Sequence, residues 1–130
     1  MRNRIGLLLL RVSLGVVFLL FGIGKFRGDI WAQTMRSMDF FQRLPWNVDT
    51  SIMLTGTIEV IIGICLIIGF LSRYAAVAAV LMLISIIWLL QFQEIRDFGL
   101  LGVAVCLMIT SELSWGMDLF IQAKKQRVKI

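Results

Sequence analysis

The stretch Gly56-Thr57-Ile58-Glu59-Val60-Ile61-Ile62-Gly63 places one carboxylate in the middle of a strongly apolar segment. Residues 51–71 contain no other charged side chain, and as a helix they are long enough to cross a hydrocarbon core of about 30 Å. Glu59 lies about 12 Å from the nearer end of that helix. A charge at the centre of a membrane helix costs about 2.5–3.5 kcal/mol, so such residues normally face inward, are paired and are functional. The segment therefore predicts a membrane bundle with a buried polar site.

The composition of the whole chain also indicates a membrane protein. Of its 130 residues, 59% are hydrophobic and 16% are charged, which is more apolar surface than a soluble domain of this length needs. Four apolar runs predict an all-α fold, an integral membrane four-helix transmembrane bundle that forms a single domain over residues 1–130. The predicted elements are helices over about 5–25, 51–71, 74–94 and 96–114, an interfacial amphipathic helix over 29–44 and a basic tail over 122–130.

The polar segment between the first two predicted spans has three interpretations. Asp29 is placed to cap a helix with an apolar face that includes Trp31, Met35 and Phe41, and Pro45 ends it. Such a helix can lie on the bilayer surface. The alternatives are a lid over a cavity and a docking face for a partner protein.

The basic residues lie between and beyond the apolar runs, which favours contact with lipid headgroups over nucleic acid binding. The net charge is +5. With four spans, both termini share one side with Arg73, and that side carries seven Lys and Arg residues against five in the two other loops. This excess predicts that both termini are cytoplasmic.

The sequence lacks the residues that several kinds of metal and redox chemistry require. The chain has no histidine, which excludes His-ligated haem and most zinc sites. Cys65 and Cys106 form no Cys-x-x-Cys motif and behave as small hydrophobic residues within apolar runs. We therefore expect no metal site and no intrinsic cofactor.

Six polar residues within or beside the apolar runs are candidate ligand-binding residues: Arg11, Lys25, Glu59, Gln91, Arg96 and Asp97. Glu59 and Asp97 are the candidate proton carriers, and no residue is assigned as catalytic. Glu59 is equally interpreted as one half of a structural ion pair, with Arg11 or Arg96 as its partner. Arg11 is equally interpreted as an anchor that extends to the headgroups.

Glycines recur at helical spacing on the faces that carry these residues. In the first run Gly15 and Gly22 share a face, and in the second Gly56 and Gly63 flank Glu59. Together with Gly102 in the last run, these glycines predict close packing between membrane helices.

Three motifs, in the expected order, resemble the DoxX family of membrane proteins. Residues 10–15, Leu-Arg-Val-Ser-Leu-Gly, resemble its first helix, and residues 56–63 and 69–73 resemble its second. The segment Arg-Asp-Phe-Gly-Leu-Leu-Gly over residues 96–102 is similar to its Arg-Asp-x-x-Leu-Leu-Gly pattern. The C-terminal signature departs from the family's, since only Asp118 keeps its final residue.

The resemblance implies a bacterial inner (cytoplasmic) membrane protein. The family takes its name from a subunit of a thiosulfate:quinone oxidoreductase, so the resemblance implies a quinone-associated subunit of a membrane oxidoreductase system, with quinone as the ligand. A non-enzymatic accessory or scaffold subunit is the alternative, and a binder or transporter of small amphiphiles is a third. Lipid and other membrane subunits are the expected partners, and a homo-oligomer is compatible with the sequence.

Overall fold

Helices form nearly all of the chain that the computed structural model describes, namely residues 2–89, 95–110, 121 and 123–124, with backbone alone at residues 2–4, 95 and 96. Their bounds are α1 Arg2–Phe26, α2 Ile30–Ser37, α3 Asp39–Gln42, α4 Val48–Ile68, α5 Ser72–Leu89 and α6 Ile95–Thr110. Gln91, residues 111–114 and most of the predicted tail lie outside the described residues. Within these ranges the all-α prediction is confirmed.

Three helices are long and apolar enough to cross a membrane: Ile5–Phe26, Val48–Ile68 and Ser72–Leu89. The apolar part of α6, Asp97–Thr110, is shorter. At 1.5 Å per residue the whole of α6 extends about 24 Å, which is less than the roughly 30 Å core of a bilayer. The chain is thus a membrane protein with three helices of spanning length among the described residues.

The closest helix pair is α1 with α4, which run antiparallel and meet through four glycines. Gly15 lies opposite Gly63, and Gly22 lies opposite Gly56. A Cβ atom at Gly63 would lie 2.7 Å from the carbonyl oxygen of Gly15, and one at Gly22 would lie 2.8 Å from that of Gly56. Because these atoms belong to backbone, a side chain could fit only if the helices separated. The small residues therefore set the distance between α1 and α4.

The other two long helices, α5 and α6, pack on each other and close the bundle against α4 and α1. Small residues again allow the approach, with Ala75, Ala76 and Ala79 of α5 buried in the main core. Gly102 does not take part in helix packing within the described chain, in contrast to the prediction. It lies on the exposed face of α6, and no atom of the described chain lies within 4 Å of the position its Cβ would take.

The helix that carries Glu59 begins and ends three residues earlier than the sequence predicts. It starts at Val48 and stops at Ile68 because Gly69 adopts the left-handed conformation, with φ of 75°. The amides of Gly69 and Phe70 both donate to the carbonyl of Cys65, at 2.9 and 3.1 Å. These bonds satisfy one of the last carbonyls of the helix.

The predicted helix over residues 29–44 is instead two short helices, α2 and α3, separated by Met38 in an extended conformation. The predicted cap is present, since Oδ1 of Asp29 accepts from the amide of Ala32 at 3.1 Å. A second small core joins the pair of helices to the start of α4. It consists of Ala32, Met35, Phe41 and Ile52. Part of the apolar face of this segment therefore packs on the rest of the protein.

Candidate functional site

A cavity of about 610 Å³ lies between the four long helices at the end where α2 and α3 are found. All six helices contribute to its wall. Its volume is in the range of pockets that hold small organic ligands. Helices α2 and α3 form one side of the wall.

Most of the wall is apolar and rich in aromatic side chains. The aromatic lining residues are Phe18, Phe21, Trp31, Phe40, Phe41 and Trp88. Phe21 and Trp31 are in an edge-to-face arrangement with ring centroids 6.0 Å apart. Phe40 and Trp88 are exposed, so the cavity is open on their side. Such a wall suits a flat or aliphatic group.

A buried ion pair forms one polar part of the wall. The ammonium of Lys25 in α1 donates to Oε1 of Glu59 in α4, and both side chains are almost fully buried. The register of the glycines explains the contact. The Cβ of Lys25 lies 3.3 Å from the position that a Cβ would take at Gly56. Since Gly56 has no side chain there, the stem of Lys25 passes over it and reaches Glu59 one turn along α4.

The second oxygen of the Glu59 carboxylate is unsatisfied. Oε2 is buried and has no hydrogen-bond partner within the described part of the chain. A buried acceptor without a donor costs about 1–3 kcal/mol, and more when it is charged. The site therefore has an acceptor that a donor from outside the described residues can satisfy.

Three hydroxyl groups line the same cavity and also present acceptors. Thr34, Thr55 and Ser85 are cavity residues. Each donates its hydrogen to the backbone carbonyl four residues earlier, at 2.8 Å. Because a hydroxyl has a single hydrogen to donate, only its lone pairs remain for a ligand.

Asp97 at the start of α6 adds a second carboxylate to the cavity wall and is 4% exposed. Together with Lys25 and Glu59, it gives the described lining one more negative charge than positive. Carboxylates in an apolar cavity can hold a polar headgroup and exchange a proton with it.

The structure separates the predicted site residues into two groups. Lys25, Glu59 and Asp97 lie together at the cavity. Arg11 is buried at 2% exposure, but it is not among the described lining residues and lies about 21 Å along α1 from Lys25. Within the described chain, Glu59 is paired with Lys25 and not with Arg11.

Two predicted site residues cannot be placed at the cavity. Gln91 and the side chain of Arg96 lie outside the described residues.

The structure adds three hydroxyl residues to the predicted set, namely Thr34, Thr55 and Ser85. Thr55 precedes Glu59 by four residues, a spacing that puts both on one helix face. Ser85 interrupts a long apolar run. The spacing of Thr55 and the position of Ser85 are both visible in the sequence and could have indicated these residues.

Comparison with known proteins identifies a family. The DoxX family model matches residues 6–92, which is more than half of the chain. The match covers α1 to α5 and therefore includes Lys25 and Glu59, whereas α6 with Asp97 lies beyond it. No curated protein and no solved structure gives a significant match.

Proposed function

The chain belongs to the DoxX family, and we propose that it binds a quinone in the cavity beside Lys25 and Glu59. The observation that carries the proposal is a buried ion pair in the wall of a largely apolar, aromatic cavity of about 610 Å³. In this proposal α6 is the fourth span of a multi-pass protein in the bacterial inner membrane, and both termini are cytoplasmic.

A quinone needs a flat apolar slot for its ring and hydrogen-bonding groups beside it. The aromatic wall formed by residues such as Phe21 and Trp31 suits the ring. The ammonium of Lys25 has three N–H donors, of which Glu59 takes one. The remaining donors can serve a quinone carbonyl, and Glu59 and Asp97 can pass on the two protons that two-electron reduction of the quinone requires.

In this proposal the chain is a quinone-associated subunit rather than a complete oxidoreductase. The sequence contains no histidine and no Cys-x-x-Cys motif. A partner protein, or a cofactor that the partner carries, supplies the electrons. The chain positions the quinone headgroup and excludes water from it.

The test is mass spectrometry of lipids and proteins on the tagged protein, purified in mild detergent from its own membranes. We expect about one quinone per chain in the wild type and at least a tenfold loss in Lys25→Met/Glu59→Gln. Removing both charges together leaves neither partner buried alone. Thr57→Val is the matched control, since the Thr57 hydroxyl lies on the exposed face of the same helix and does not line the cavity. Wild-type protein that carries no quinone would contradict the proposal.

An accessory subunit is the second candidate, favoured by one face of α6. Gly99, Gly102 and Cys106 form an exposed stripe of small residues, and at both glycines the added Cβ would meet no described atom within 4 Å. Such a stripe permits the close approach of another membrane helix. In the same purification, a fixed set of partner subunits that is lost in Gly102→Leu, with no bound quinone, would favour this function.

A further inference from the structure

We infer that the cavity selects a headgroup that donates hydrogen bonds, so that it binds a quinol more tightly than the corresponding quinone. This inference rests on the quinone site proposed above and specifies which redox form it prefers. It follows from the directions of the hydrogen bonds in the cavity wall.

On the described part of the cavity wall, more side chains present hydrogen-bond acceptors than donors. Oε2 of Glu59 is a buried acceptor with no partner in the described chain. The hydroxyls of Thr34, Thr55 and Ser85 have given their hydrogens to their own helices. Four polar side chains of the described wall therefore present acceptors to a ligand.

The donors on the described wall are fewer. They are the ammonium of Lys25 and the indole N–H groups of Trp31 and Trp88. Lys25 already directs one hydrogen to Glu59. Trp88 is 71% exposed and so faces the surroundings as well as the cavity. A ligand that brings its own donors is the better match for this wall.

The two redox forms of a quinone differ in this property. A quinone headgroup has two carbonyl oxygens, which only accept hydrogen bonds. Two electrons and two protons convert them to hydroxyls, which donate. A quinone carbonyl facing Glu59 would leave two acceptors against each other, whereas a quinol hydroxyl would satisfy Oε2. A buried polar site left without its partner discriminates strongly against the wrong ligand.

Binding to the purified protein in lipid nanodiscs tests the inference. Three probes with the same ring and a short tail are compared under anaerobic conditions by equilibrium dialysis: a benzoquinone, its quinol and the dimethyl ether of that quinol. The ether keeps the ring and both oxygens of the quinol but has no donor, and it carries two added methyl groups. We expect the quinol to bind at least tenfold more tightly than either other probe. A tenfold preference also raises the midpoint potential of the bound two-electron couple by about 30 mV.

The Glu59→Gln variant is the sharpest comparison. Its amide oxygen can still accept from Lys25, and its amide nitrogen then places a donor where Oε2 was. We expect the preference to reverse in favour of the quinone. Thr55→Val, which removes an acceptor without touching the ion pair, should lower the preference for the quinol over the quinone. Thr57→Val should change neither.

The outcomes separate the two claims. Equal affinity of the wild type for quinone and quinol, or an unchanged preference in a folded Glu59→Gln variant, overturns the inference and leaves the quinone site standing. If Glu59→Gln does not fold, the Thr55→Val comparison decides the inference by the same criterion. No binding of any of the three probes overturns the proposed function itself.

Discussion

At the scale of single residues, the Lys25–Glu59 pair links stability to the site. Both side chains are buried in a largely apolar helix bundle. Two charges removed from water lose solvation energy, which their mutual attraction largely offsets. Neither charge can be removed alone without leaving the other uncompensated. The two charges must therefore be kept or removed together. Removing one charge tests the structural role of the pair, whereas removing both tests its role toward a ligand.

We expect Lys25→Met to lower the free energy of unfolding by about 3–5 kcal/mol, because it leaves the Glu59 carboxylate buried alone. The double variant Lys25→Met/Glu59→Gln should recover more than half of that loss. Reversible unfolding in mixed micelles measures both values. The control is Arg36→Ala, which breaks the exposed pair of Arg36 with Asp49 and should cost at most about 1 kcal/mol. A cost for Lys25→Met no greater than for Arg36→Ala would contradict this expectation.

At the scale of helices, the contact between α1 and α4 depends on backbone approach and therefore on glycine. We expect Gly63→Ala to destabilise the bundle by about 1–3 kcal/mol, as overpacking does. The added methyl would lie 2.7 Å from the Gly15 oxygen and 2.8 Å from the Leu19 amide, and neither backbone atom can turn away. Gly102→Ala on α6 meets nothing within 4 Å in the described chain. It should be neutral or slightly stabilising, since alanine favours the helix.

Unfolding midpoints of the two alanine variants, measured under the same conditions, test this expectation. Equal midpoints for Gly63→Ala and Gly102→Ala would show that α1 and α4 separate at little cost. Gly22→Ala is a second test of the same contact. It should resemble Gly63→Ala, because its methyl would meet the Gly56 oxygen at 2.8 Å.

The spanning helices were predictable from the sequence because their signal is local. Apolar length predicts α1, α4 and α5, and the spacing of Gly15 with Gly22 and of Gly56 with Gly63 indicates the faces that meet. The partner of Glu59 was not predictable, because the choice of Lys25 depends on how its stem crosses Gly56 between two helices. The interruption at Met38 was also missed, since the apolar spacing of residues 29–44 continues through it.

At the scale of the whole molecule, the described chain has two apolar cores of different size. The larger lies within the four long helices and includes Leu14, Phe18 and Leu66. The smaller lies beneath α2 and α3 and includes Met35, Phe41 and Ile52. Since α2 and α3 line the cavity and pack on the smaller core, we expect them to move away from the cavity without unfolding of the bundle. Parts of a protein with few buried contacts open at lower free energy than the rest.

Hydrogen exchange should reveal this division. Phe41 is buried in the smaller core and lines the cavity, and truncating a buried Phe to Ala typically costs about 3–5 kcal/mol. We expect Phe41→Ala to speed amide exchange over residues 30–42, while exchange in the middle of α1 and α4 stays at the wild-type rate. Leu14→Ala, in the larger core, should instead speed exchange in all the long helices together. The same opening should make a bound quinol dissociate faster from Phe41→Ala than from the wild type. If Phe41→Ala speeds exchange uniformly, α2 and α3 unfold together with the bundle, and the expected local opening beside the cavity does not occur.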